Sequence, residues 1–337
     1  MSAVNAWRRW AFAPADTAPM AALRIACGLL TLGWTVSLLP DAQAFLAGDG
    51  LTSDAVSGSA GWWTLPVSPY GSLAVLAAAA LALTAGWHTR VAAVVVTLLL
   101  IIIQRRDVYI LNSGDLLLRE LAFYVALMPA GECWSLDARK RIPQLRAPWG
   151  LRLLQLQISI VYLFSVTAKL HGSNWQNGTA VGMSVQLHDL RRVVLPQSFA
   201  TSVILSAMLT YGTLAVEASL VLGLWFARTR WWVMAAGVAM HLGIELTLLI
   251  GWFSLTIICC YLAFVPGQTL RRVVSRVKAV VAVRGVRSVG GRGGEQGGRL
   301  DRTDVHPAVV HRQDAQQRRV EQPPGAPRPG HRLQDGG

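Results

Sequence analysis

Apolar residues in this chain arrive in blocks rather than at amphipathic spacing, at about 20–39, 71–87, 91–104, 116–130, 151–170, 200–226, 232–250 and 252–266. A block of that kind is too long for a buried strand, and a helix that is apolar all round needs either a large core or lipid around it. A full membrane crossing takes about 20 residues, which most of these blocks approach and which 91–104 and 116–130 do not reach. The reading is therefore an all-α, polytopic transmembrane helical bundle of about eight spans, at the cell membrane. If 71–104 is one kinked element, or if 232–266 does not turn at Gly251, the count is six.

The rest of the composition agrees. The chain is 53% hydrophobic and 15% charged, and it carries 13 tryptophans, many at block ends (Trp7, Trp10, Trp62, Trp63, Trp87, Trp149, Trp252), as in the aromatic belts of membrane proteins. Its formal charge of +13 sits largely beside the apolar blocks and in the C-terminal tail, so the lipid bilayer is the expected partner and no nucleic acid is expected. Cys27, Cys133, Cys259 and Cys260 include no CxxC pair and suggest neither a disulfide framework nor a thiolate metal site.

Basic residues orient the bundle. Arg8, Arg9 and Arg24 precede or open the first block, whereas 41–70 holds three aspartates and no lysine or arginine, which places the N-terminus inside. Eight spans then put both termini in the cytoplasm, with exceptions to the charge bias at Arg105, Arg106, Arg191 and Arg192. Residues 1–19 read as a cytoplasmic segment without a signal peptide, 20–267 as the membrane domain, and 268–337 as a basic, largely disordered tail. Trp62 and Trp63, in the first long loop, read as interfacial.

Ionisable residues inside apolar blocks are costly, so each points to a partner or a polar cavity. Asp115 and Arg119 share a helix face at four-residue spacing, as do His241 and Glu245. Glu217 on the preceding block reaches a similar depth to His241, and a Glu217–His241–Glu245 cluster reads equally as a proton relay or as interhelical polar glue. No HExxH or comparable constellation suggests a metal. The most informative site is the end of the fifth block, VYLFSVTAKLHGSNWQNGTA, where Lys169 is followed by His171 and a polar stretch with Asn174 and Trp175. Lys169 is either a snorkelling anchor or an amine in a partly dry polar chamber, and burial that disfavours the charged form is how an amine becomes a general base. Arg105, Arg106, Asn112 and Asp115 enter from the same side in the eight-span topology and are expected to form the chamber's other wall.

The KLxxxxWxxGTA element, LRIACGLLTLGW, LAGDGLTSD, NSGDLLLRELAFYVALMPAGECWSLDARK and AMHLGIELTLLIGWFSL followed by YLAFVP together resemble the HTTM proteins, the horizontally transferred transmembrane domain related to vitamin K-dependent gamma-carboxylase. The resemblance spans about residues 20–267. It implies an all-helical membrane domain with quinol-dependent, carboxylase- or epoxidase-like activity. Lys169 matches the carboxylase lysine regarded as the base that deprotonates the reduced quinone (vitamin K or menaquinol type), acting at the outer face with a lipid quinol or a secreted peptide as partner. Asp115 and His241 are grouped with Lys169 as catalytic candidates, and Arg105, Asn112, His171, Glu217 and Glu245 as the surrounding pocket or relay. The functional histidine of the carboxylase has no counterpart around Asn112–Asp115, while the tryptophan-serine pair survives as Trp134 and Ser135. The alternative is a non-catalytic or transport-like protein that assists peptide maturation or export.

Overall fold

A computed structural model describes residues 2–47, 50, 68–106, 111–139, 142 and 144–290. Trp62, Trp63 and the tail beyond Gly290 lie outside the described residues. The chain divides into two units, Met1–Ala279 and Val280–Gly337, and the account below concerns the first.

The longer helices are α1 (Ala3–Phe12), α2 (Ala18–Leu38), α3 (Pro69–Ala85), α4 (Thr89–Arg106), α5 (Ser113–Leu127), α6 (Trp149–Leu170), α7 (Val203–Gly223), α8 (Arg230–Thr247), α9 (Phe253–Cys260, continued as a 3-10 turn over Tyr261–Phe264) and α10 (Gly267–Gly290). Short helical turns occupy Ala42–Leu46, Ser173–Gln176, Ala180–Ser184 and Gln197–Ala200. Helix starts follow local chemistry. Pro69 opens α3 behind Ser68, whose hydroxyl accepts from Gly71 N–H, and Ser202 caps α7 by accepting from Leu205 N–H. At α5 a full capping box operates: Asn112 Oδ1 accepts from the Gly114 and Asp115 amides while the Asp115 carboxylate accepts from Asn112 N–H. Helix α10 carries regular structure to Gly290, well into the stretch that its glycines and lack of periodicity mark as irregular.

Helices α2, α3, α4 and α5 pack in sequence as one group, and α6, α7, α8 and α9 as a second. The groups share one hydrophobic core through α5 against α6 and α9, and through α2 against α9. The expected eight spans are not found. Among the described residues three helices, α2, α6 and α7, are long and apolar enough to cross a membrane, or four if the pair formed by Phe253–Phe264 and Gly267–Val280, bent by 112°, is one broken span. Apolar runs do not translate one for one into spans: α3 is only 17 residues long and α5 only 15, α4 holds Arg90, Arg105 and Arg106, and α8 carries His241 and Glu245. The even count that placed both termini on the cytoplasmic side falls with it. What stands is a helical protein with several membrane-compatible helices.

Two polar features fasten segments of this unit to one another. Residues 131–138 are stitched to the α3–α4 turn by Leu136 N–H and Asp137 N–H donating to the Ala85 and Gly86 carbonyls. The Asp137 carboxylate caps α4 from a distance by accepting from His88 N–H, Thr89 N–H and the Thr89 hydroxyl. Before α2, Asp16 forms a two-pronged pair with Arg271 at 2.6 and 2.8 Å and also accepts from Ala18 N–H. The Arg271 guanidinium, outweighing partial burial, holds the Asp16 carboxyl below the usual carboxylate range. Because the folded value lies below the unfolded one, this pair contributes its full stability above about pH 4 and loses it as the pH falls through the depressed value. Asp16→Asn should therefore lower the thermal midpoint slightly at pH 6–7 and leave it unchanged in strong acid, the gap closing as Asp16 protonates. The effect is expected to be under about 1 kcal/mol because the pair is partly open to solvent, which screens it.

Candidate functional site

The polar centre of the second helix group is built on one face of α6. Tyr162, Ser165 and Lys169 follow at three- and four-residue steps, so they stack along that face toward the C-terminal end of the helix. Opposite them, α7 contributes Glu217 one turn before the core residue Leu220, and α8 contributes His241, buried beside Gly237.

Lys169 turns back onto the bundle rather than out. Its Nζ lies 2.7 Å from both carboxylate oxygens of Glu217 and 2.5 Å from Ser165 Oγ, and Ser165 donates to Glu217 Oε2 at 3.1 Å. The carboxylate side chain is 7% exposed and the lysine 20%, so one end of the pair is dry and the other is reachable. The indole of Trp175 covers the ammonium at 5.1 Å, a cation–π contact. Trp175 also lines an open groove of about 510 Å³ with Gly172, Asn174, Ala180, Met183 and Leu187. The groove is formed because Ala180–Ser184 is pinned to α7: Ser206 and Thr210 accept from the Gly182 and Val181 amides and donate to the Gly178 carbonyl.

Deeper in the bundle, the Tyr162 hydroxyl stands between two partners, His241 Nε2 at 2.9 Å and the Tyr261 hydroxyl at 2.5 Å. All three side chains are buried, and His241 Nδ1 has no partner among the described residues. Gly237 makes this possible, since a Cβ there would collide with the Tyr261 hydroxyl and with Leu220.

The candidate residues thus separate into distinct neighbourhoods. Lys169 and Glu217 are paired, and His241 belongs to the tyrosine cluster. Glu245, expected beside His241, instead pairs with Arg192 at 2.7 Å, where the segment around Arg191 forms a bridge with Leu248. Asp115 is held by α2 and its own helix start: its carboxylate accepts from Trp34 Nε1 at 2.7 Å and from Asn112 N–H, and its carbonyl accepts from Gln104. These bonds occupy Asn112 and Asp115 in capping α5, away from the contacts of Lys169. Arg105 lies exposed in the last turn of α4, and His171, at the end of α6, is exposed and donates from Nδ1 to the Thr167 carbonyl. Ser165, Tyr162 and Tyr261 were not among the candidates from sequence. The spacing of Tyr162 and Ser165 from Lys169 could have shown their shared face; nothing local marks Tyr261, which arrives from a distant element.

Among the described residues no three His, Cys, Asp or Glu side chains converge as a metal site. No curated protein and no solved structure matches the chain. The matching blocks from the first long helix to the segment after α9 nevertheless form a single family pattern, and with residues 12–268 matched, the chain belongs to the HTTM domain family.

Proposed function

We propose that this protein is a membrane enzyme related in chemistry to vitamin K-dependent gamma-carboxylase, which takes a hydroxyl proton from a lipid quinol with Lys169 as general base. The observation that carries the reading is the half-dry Lys169–Glu217–Ser165 triad covered by Trp175, whose ring also lines an open groove. An amine removes a proton only in its neutral form, and Glu217, within 2.7 Å, is the group positioned to receive the ammonium's proton first. The substrate hydroxyl then gives its proton to Nζ, leaving an oxyanion beside the new ammonium, whose charge opposes it. Trp175, Met183 and Leu187 offer a planar and apolar lining suited to a quinol ring, and Asn174 a polar contact for its second oxygen. The isoprenoid tail of such a substrate is compatible with the apolar helices around the site.

The purified full chain supplied with reduced menaquinone or vitamin K hydroquinone and dioxygen should form quinone epoxide. Failure to form epoxide with either quinol, in the presence and absence of glutamate-containing peptides, overturns this reading.

A further inference from the structure

A second groove, of about 590 Å³, runs along the opposite helix group between α4 and α5 and is lined almost entirely by apolar atoms. On α4 its lining residues are Arg90, Val94, Thr97, Leu98 and Ile101, a single stripe about 16 Å long at the rise of an α-helix. That is about the depth of one leaflet's hydrocarbon. The two ends differ. Thr89 packs against Gly131, and Gly150 against the Leu127 carbonyl, so Arg90, Leu127 and Trp149 gather at one end while Ile101 and Phe123 line the remainder.

At the polar end the Arg90 guanidinium is exposed, and among the described residues no protein group is paired with it. Two tryptophans at that end suit the headgroup boundary: Trp149 is half-buried in the groove wall, and Trp87 stands exposed one turn before, while the Asp137 carboxylate nearby is taken up by the His88 and Thr89 amides and the Thr89 hydroxyl. Along the groove Val94, Leu98 and Phe123 present exposed apolar surface of the kind an acyl chain covers.

We propose that this groove binds an anionic phospholipid, with one acyl chain along the Val94–Ile101 stripe and the headgroup phosphate on Arg90. A guanidinium matches a phosphate with two parallel N–H donors, and its positive charge favours a headgroup of net negative charge over one whose phosphate is already balanced by a choline cation. The proposal does not depend on the chemistry assigned to Lys169, and the groove shares no residue with the one beside Trp175.

Native mass spectrometry of the full chain released from detergent, with phosphatidylglycerol or phosphatidylcholine added at equal concentration, tests it. Phosphatidylglycerol should remain bound in preference to phosphatidylcholine. Arg90→Ala should weaken phosphatidylglycerol retention about tenfold, the loss expected for a charge-assisted hydrogen-bonded contact, and phosphatidylcholine retention less, so that the preference for phosphatidylglycerol largely disappears. Leu98→Trp, at an exposed position, should fill the groove and reduce both lipids equally. Arg90 and Leu98 are surface residues, so both variants are expected to elute as the wild type does. Undiminished phosphatidylglycerol preference in Arg90→Ala, or retention of both lipids by Leu98→Trp, overturns the proposal.

Discussion

Arg24→Met should cost the folded protein about 3–5 kcal/mol, the scale expected when several buried carbonyls lose their shared donor at once. Arg24 lies in the second turn of α2 and is 0% exposed, one of the largest fully buried side chains in the protein. Its guanidinium reaches the carbonyls of Trp134 at 2.5 Å and of Thr84 and Ala130 at 3.4 Å, joining α2 to the end of α3 and to the segment after α5. The geometry depends on Gly86, whose φ of 70° ends α3 and whose missing side chain leaves room for the guanidinium. Methionine fills much of the volume but leaves three carbonyls without their donor, and each buried orphan costs about 1–3 kcal/mol. Arg24→Lys should fall between the two, because a single ammonium carries the charge but lacks the planar fork. Thermal unfolding of the detergent-solubilised chain measures the effect, with exposed Arg8→Met as a control expected to stay within about 0.5 kcal/mol. Equal midpoints for Arg24→Met and the control mean that the latch contributes nothing.

Arg24 also shows where sequence reading stops. From sequence it is a positive charge that opens the first apolar block and orients the chain, yet its role is set by carbonyls 60 to 110 residues away. The same division holds at the candidate site. The helix that ends in Lys169 was legible nearly to the residue, 151–170 expected and Trp149–Leu170 found, because an unbroken apolar run and a following polar stretch define it locally. Its partner was not. Glu217 was matched with His241 by depth alone, and depth leaves the direction in which each helix faces undetermined; the side chain points to Lys169 instead. Spacing of four residues likewise made Glu245 a partner for His241. Glu245 sits in the last turns of α8, where Arg192 from an irregular segment offers it a full positive charge. Asp115 lost Arg119 as its expected partner because it is the third residue of its helix, and the free amide of Asn112 lies closer at hand than the next turn. The span count failed because an apolar block was counted as a crossing even where its helix is short, as in α3 and α5, or is interrupted by ionisable side chains, as in α4 and α8.

Lys169→Ala should reduce epoxide formation by about 10² to 10⁴-fold, the range for loss of a positioned general base. The same change leaves the Glu217 carboxylate buried with only Ser165 beside it, which destabilises the fold as well, so the single variant cannot separate chemistry from structure. The double variant Lys169→Ala/Glu217→Ala can. Removing both charges relieves the stranded carboxylate and should restore part of the lost thermal stability, while turnover per folded molecule should be no lower than in Lys169→Ala alone, because groups that pass one proton between them fail together. Lys169→Arg keeps the ion pair with Glu217 but supplies a group that stays protonated, so it should retain stability and lose turnover. If Lys169→Arg turns over as fast as the wild type, the pair is an electrostatic clasp between α6 and α7 and the base lies elsewhere. If instead stability and turnover separate as described, the proton passes through this amine, and Trp175, which covers the amine and lines the groove, is the side chain a quinol must pass to reach it.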